Sequence, residues 1–201
     1  AWEGQQPTLA WGWLRPAGRE LLTQWRTIPL AHDFDGDGLV DLAVLDTEGF
    51  LAFFKRARRD GSLVLEPPRR AFVDEAGRPL RLSSEAAGRS GRRKLCVTDW
   101  DGDGRFDLLI NSANADLLKQ VEFRDGNWVM RKVGPLAKKN IEGHDVSPTV
   151  VDFDGDKVPD FLGGAEDGRL YFLANHRSAA ASAAAADAAI VRSEFIYDVG
   201  P

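Results

Sequence analysis

Three stretches of the chain carry carboxylates at one repeated spacing: Asp33-Phe34-Asp35-Gly36-Asp37-Gly38-Leu39-Val40-Asp41, Asp99-Trp100-Asp101-Gly102-Asp103-Gly104-Arg105-Phe106-Asp107 and Asp152-Phe153-Asp154-Gly155-Asp156-Lys157-Val158-Pro159-Asp160. Aspartate stands at the first, third, fifth and ninth positions, and an aromatic residue is always second. A chain that turns tightly through such a stretch aims alternate side chains at one centre. The carbonyl of the seventh residue (Leu39, Arg105 or Val158) joins them. This is a set of hard oxygen donors, which suits Ca2+ better than softer metals. The candidate ligands are therefore Asp33, Asp35, Asp37, Leu39 and Asp41; Asp99, Asp101, Asp103, Arg105 and Asp107; and Asp152, Asp154, Asp156, Val158 and Asp160. Without a cation the crowded carboxylates would repel one another. A solvated Asp-Gly turn is the alternative for any single copy. Three copies at one spacing favour calcium loops.

The flanks define the kind of loop. An EF-hand needs a glutamate at position 12 and a helix on either side. Position 12 is Val44, Ile110 or Gly163 here, and both flanks read as strands. Ile28 to Ala31, Lys94 to Val97 and Pro148 to Val151 precede the loops, and Leu42 to Leu45, Leu108 to Ile110 and Phe161 to Gly163 follow them. Short apolar runs bounded by Asp and Gly are strand signals, which excludes the EF-hand and dockerin readings.

The repeat extends beyond the loop. Asp46 to Gly49, Ser112 to Ala115 and Ala165 to Gly168 align as turns, and third strands follow at Phe50 to Lys55, Leu117 to Phe123 and Arg169 to Ala174. In the first two copies a turn (Arg59-Asp60-Gly61; Arg124-Asp125-Gly126) leads to a fourth strand, Leu63 to Leu65 or Trp128 to Lys132. Four antiparallel strands per repeat is the sequence form of a β-propeller blade. The predicted fold class is all-β, consecutive blades with calcium loops. The loops start at residues 33, 99 and 152. The longer first interval implies an insertion at 67–89, which reads as a hairpin around Glu75-Ala76-Gly77. The expected divisions are 1–22, the end of a preceding blade; 23–177, the blades (23–66, 90–134 and 143–177); 178–191, an Ala-rich linker or short helix; and 192–201, the start of a following module.

These units resemble FG-GAP (VCBS-type) repeats, the calcium-bearing blades of integrin α-subunit heads and of many bacterial secreted proteins. The likeness covers roughly Thr23 to Asn175. It departs at Lys157, where the other copies have Gly38 and Gly104. If that position needs positive φ, lysine there costs about 1 kcal/mol, and the third site is expected to be the weaker for it.

The 201 residues are 43% hydrophobic and 28% charged, the composition of a globular domain. A net charge of −5 with no dominant basic face argues against a nucleic-acid partner. No apolar run is long enough to span a bilayer. The chain as given has neither an initiator methionine nor a signal peptide, and is expected to be a mature or truncated form with further blades in its parent. The single cysteine, Cys96, lies mid-strand and reads as a buried, inert thiol. Loops without a position-12 glutamate suit millimolar calcium, and hence an extracytoplasmic setting: secreted, periplasmic or on the cell surface. Trp2, Trp11 and Trp13 in the opening segment could stack on sugar rings or seal a preceding blade.

A second constellation lies just ahead of the first strands. Arg26 and Arg92 each stand seven residues before a loop; in the third copy that place is Asp145, beside His144. Equivalent ends of successive blades would bring these residues to one funnel, where arginine suits bidentate grip of a carboxylate. The alternative is that the arginines pair with neighbouring acids. The segments Thr23 to Thr27, Ser90 to Leu95 and Gly143 to Thr149 are similar to those of seven-bladed propeller polysaccharide lyases, notably L-rhamnose–glucuronate lyases. That likeness implies β-elimination at a uronic acid, with Arg26 and Arg92 on the carboxylate of a uronate-containing glycan and His144 near the abstracted proton. The other reading is a non-catalytic propeller that binds glycan or protein. Arg192 to Asp198 resembles the opening strand of a sialidase-like (BNR) domain.

Overall fold

The structure is a computed structural model that describes residues 23–83, 93–112, 114–136, 147–165, 169–178 and 191–192. Among these residues there is no helix, and fourteen strands form antiparallel sheets, apart from one short parallel pair. The first sheet is β1 (Leu30–His32), β2 (Asp41–Leu45) and β3 (Leu51–Phe54), hydrogen-bonded in that order. The chain breaks register at Lys55 and resumes as a separate hairpin, β4 (Arg56–Arg59) with β5 (Ser62–Leu65). Its turn places Asp60 and Gly61 at φ 50° and 78°. Two left-handed residues in succession match the twist of the strands they join, as in a type I′ turn. Asp125 and Gly126 repeat the device in the second sheet at φ 52° and 76°.

That second sheet is ordered β7 (Leu95–Thr98), β8 (Asp107–Ile110), β9 (Asp116–Arg124), β10 (Asn127–Pro135) and β6 (Phe72–Val73). The third is β11 (Ser147–Val151), β12 (Asp160–Gly164), β13 (Leu170–Leu173) and β14 (Val191–Arg192). Strands fall where the flanks of each loop place them, with ends displaced by a residue or two. Val191–Arg192, placed by the sequence reading at the junction of linker and following module, pairs with β13 as the fourth strand of this sheet. Residues 1–22, 193–201 and nearly all of the Ala-rich stretch lie outside the described residues.

The sheets are arranged in series, with their first strands adjacent: β1 lies against β7, and β7 against β11. No closed barrel or closed propeller forms among the described residues. The central strand β8, Asp-Leu-Leu-Ile, is buried at every position, because both faces of the second sheet meet a neighbour. Between the first and second sheets lies an aromatic core of Phe34, Phe53, Phe72 and Trp128, with Phe106 at its edge. Phe72 and Trp128 stack at 5.0 Å, and Phe34 meets Phe53, Phe72, Phe106 and Trp128 within 6.0 Å between ring centroids. Between the second and third sheets lie Trp100, Leu109, Ala115, Leu117, Phe161, Tyr171 and Leu173.

The described part of the insertion joins two sheets. Val73 bridges Pro79 around Gly77, giving the expected hairpin. Its strand β6 also pairs in parallel with β10, and Phe50 bridges Arg81. Ala71 and Phe72 are fully buried in the aromatic core. The insertion therefore fills the space between the first two sheets.

Candidate metal centres

Each acidic loop closes a hairpin between the first and second strands of its sheet. The first aspartate accepts backbone N–H groups across the turn. Asp33 receives Gly36, Asp37 and Gly38 at 2.9, 3.1 and 2.9 Å; Asp99 receives Asp103 and Gly104, and Asp152 receives Gly155 and Lys157. Third and fifth positions each accept the amide two residues on. Asp35 receives Asp37, Asp101 receives Asp103, and Asp154 receives Asp156; Asp37 receives Leu39, Asp103 receives Arg105, and Asp156 receives Val158. Such Asx turns fix the carboxylates without help from the rest of the fold.

The sixth residue must be left-handed. Gly38 and Gly104 have φ of 83° and 84°, and Lys157 has 67°. Lysine therefore occupies a conformation that glycine adopts freely, so the strain expected of it is present.

The ninth aspartate does something the sequence reading did not anticipate. Asp41, Asp107 and Asp160 are buried, and each ties three stretches of chain together. One oxygen accepts the N–H of the second loop residue: Phe34 at 3.1 Å, Trp100 at 3.0 Å, Phe153 at 3.2 Å. The other accepts an amide at the third strand's midpoint or just past its end: Gln120 at 3.0 Å, Arg56 at 2.8 Å and Asn175 at 2.9 Å. Burial pushes the Asp107 carboxyl up to about 6, against the pull of those two amides, and raises Asp41 in the same way. The only signal in the sequence is an aspartate as the first residue of each second strand, where an apolar residue would otherwise belong.

Carboxylate oxygens converge in all three loops. Asp33, Asp35 and Asp37 lie within 4.8 Å of one another, as do Asp99, Asp101 and Asp107, and Asp152, Asp154 and Asp160. A set made wholly of carboxylate oxygen at that spacing fits a hard divalent cation and offers nothing to a thiophilic one.

Lys55 and Lys119 bring an amine beside these oxygens in the first and second loops. Lys55 donates from Nζ to Asp35 and, at 2.7 Å, to Asp37. Lys119 donates to Asp101 and, at 3.1 Å, lies beside Asp103. The Lys55 amine holds the Asp37 carboxyl below the usual range, reinforced by the Leu39 amide. Burial works to raise Asp103, but the Arg105 amide and Lys119 outweigh it and hold it low. In the third loop Asp154 is raised instead, by burial and by the charges of Asp156 and Asp160.

Of the funnel residues, only Arg26 lies among the described residues; Arg92 and His144 lie outside them. Arg26 has φ 58°, and its guanidinium sits 4.0 Å from the ring centroid of Trp25, which is 61% exposed. Of the basic run beside Arg92, Arg93 donates to the Leu82 carbonyl at 2.7 Å and to the Asn111 carbonyl at 3.3 Å, and Lys94 Nζ reaches Ser147 Oγ at 2.6 Å. Lys94 thus links the start of the second sheet's first strand to that of the third, and Arg93 ties the second sheet to the insertion. No helix among the described residues is long and apolar enough to cross a membrane. No family model matches the chain, and neither a curated protein nor a solved structure matches it.

Proposed function

We propose that the chain is a run of calcium-binding β-propeller blades that acts as a non-catalytic binding module for glycan or protein in an extracytoplasmic setting. The observation that carries this reading is the threefold recurrence of one device. Convergent carboxylates sit on the hairpin between the first two strands, and the ninth aspartate ties that hairpin to the third strand. A divalent cation placed among those oxygens would neutralise their repulsion and fix the hairpin to its sheet. The serial arrangement of sheets, with adjacent first strands, supports the blade reading. Trp25, exposed and backed by Arg26, supports a face able to stack on a sugar ring.

Uronate elimination by Arg26, Arg92 and His144 is the second reading. Of its three residues only Arg26 lies among the described ones, and its guanidinium lies over the Trp25 ring, an arrangement that serves a stacking face, so binding is preferred. Titration with calcium after chelation tests the first claim. The melting temperature should rise with calcium, because an ion that binds the folded state alone stabilises it by mass action, and native mass spectrometry should show up to three ions. A melting curve indifferent to both chelator and calcium would sink it. Unsaturated uronate released from a uronate polymer, and lost in Arg92→Ala, would restore the lyase.

A further inference from the structure

The second acidic loop meets a turn of the third sheet. Asn175, His176, Arg177 and Ser178 lie just after β13. The turn closes on itself: the Arg177 amide donates to Asn175 Oδ1 at 3.0 Å, and the Ser178 amide to the Asn175 carbonyl at 2.9 Å. It is seated on Asp160, which accepts the Asn175 amide at 2.9 Å and the Ser178 hydroxyl at 3.3 Å. Asn175 and Ser178 are buried. From this seat two side chains reach the second loop. Asn175 Nδ2 donates to the carbonyls of Trp100 and Pro159, both at 2.9 Å. Arg177 Nε donates to the same Trp100 carbonyl at 3.0 Å, and its Nη2 to the Asp99 carbonyl at 3.2 Å. The guanidinium lies against Gly102, where a Cβ would collide with it. Gly102 thus admits the arginine as well as forming a left-handed turn at φ 75°.

These bonds fall on the two peptide groups between Asp99 and Asp101. The loop's Asx turns hold its carboxylates against its own amides; they do not aim the loop at Asp107, which stands on β8. Aiming takes bonds to the peptide groups themselves. The group joining Asp99 to Trp100 is held at its N–H by Asp107 and at its carbonyl by Arg177. The next group, joining Trp100 to Asp101, is held at its carbonyl by Asn175 and Arg177 together. A peptide group is planar, so fixing it sets the direction in which the flanking side chains leave the backbone. Asp99, Asp101 and Asp107 are the three residues whose oxygens converge in this loop.

We propose that Asn175 and Arg177 are positioning residues for the second cation site, so that this site is built by two sheets rather than one. This rests on the calcium reading above. A donor set already aimed at its ion binds more tightly, because less order has to be imposed on binding. Groups that orient the direct ligands of a metal are typically worth about 10–100-fold in affinity. The arginine fork suits two successive carbonyls. Lysine keeps the charge and loses the fork, so Arg177→Lys separates positioning from the field of a nearby cation.

The test is a calcium titration of the full chain after chelation, followed by the backbone amide signals of Gly38, Gly104 and Lys157, one in each loop. Arg177→Lys should move the Gly104 midpoint to about tenfold higher calcium and leave the Gly38 midpoint in place. Gly102→Ala, which drives the guanidinium away, should do the same. The double variant should bind no more weakly than either single one, since both substitutions remove one contact. In chelator, Arg177→Lys should lower the order parameters of the Asp103 and Gly104 amides, which are bonded to the Asp99 carboxylate; that readout needs no metal. A role in stability alone would lower the melting temperature of Arg177→Lys and leave the Gly104 midpoint unmoved. That result would overturn the proposal and leave the calcium reading standing. A wild-type protein whose amide signals do not respond to calcium would overturn both.

Discussion

The first two acidic loops and the third share a sequence pattern but differ in what surrounds them. The second-position aromatic of the first loop, Phe34, is 5% exposed and lies in the core against the second sheet. Trp100, at 4%, does the same toward the third sheet. Phe153 is 51% exposed and, among the described aromatic rings, touches only Phe172, at 5.1 Å. Val151 and Leu170 of the same sheet are also exposed. The aromatic is thus the residue by which each loop grips the next sheet, and the third loop has no described sheet to grip. The comparison separates two roles that the repeat presents together. The carboxylates belong to a loop's own hairpin, whereas the aromatic belongs to the interface between sheets.

The largest test of this separation is Phe34→Ala against Phe153→Ala. Removing a buried phenylalanine from a packed aromatic core should cost about 3–5 kcal/mol, whereas a half-exposed ring should cost under about 1 kcal/mol. Denaturant unfolding measures both. Equal losses would mean that Phe153 is covered in solution.

Next is the ninth aspartate. Asp107→Ala strands two amides, of Trp100 and Gln120, both of whose hydrogen bonds are buried. At about 1–3 kcal/mol for each unsatisfied group, a loss of about 2–6 kcal/mol is expected. Asp41→Ala should cost less, because the Arg56 amide is only partly buried and water can replace its partner. The reverse ranking would show that the first loop is the better anchored.

A smaller effect is expected at Lys157. Lys157→Gly should stabilise the metal-free protein by up to about 1 kcal/mol, because glycine adopts φ 67° without a Cβ penalty. Gly104→Lys should cost a similar amount. If the two substitutions do not mirror each other, the loops differ in backbone as well as in surroundings.

The smallest signal concerns Cys96. Burial between the second and third sheets raises its thiol above the ordinary range, so the reactive thiolate is scarce at neutral pH and appears only at higher pH. Alkylation of the native protein at pH 8 should be slow and should speed up in chelator. Immediate stoichiometric labelling would show that this interface is open.

Much of this architecture was legible in the sequence, for identifiable reasons. Strand positions followed from the aspartate frame, since an apolar run between Asp and Gly has few other uses. The two Asp-Gly turns follow from their demand for left-handed residues. The lysines were not legible, because nothing in the spacing of Lys55 and Lys119 ties them to a loop earlier in the chain. Only the pairing of third strand with second turns them toward the loop. The burial of Ala71 and Phe72 was equally hidden, because a two-residue strand pairs with β10 across a long stretch of sequence. The break at Lys55 divides a strand that periodicity alone would run from Phe50 onward.

The ninth aspartate has a consequence for motion. Its carboxylate bonds both the loop and the third strand, so the loop cannot swing away from its sheet while the amides of Arg56, Gln120 and Asn175 remain bonded. Opening must proceed as one cooperative unit, loop and strand together. In hydrogen exchange those three amides should share their protection with the second residue of the loop in their own sheet, rising and falling in step as calcium is added or withdrawn. An ion bound at the rim of each sheet would then set the exchange rate of amides at and beyond its third strand.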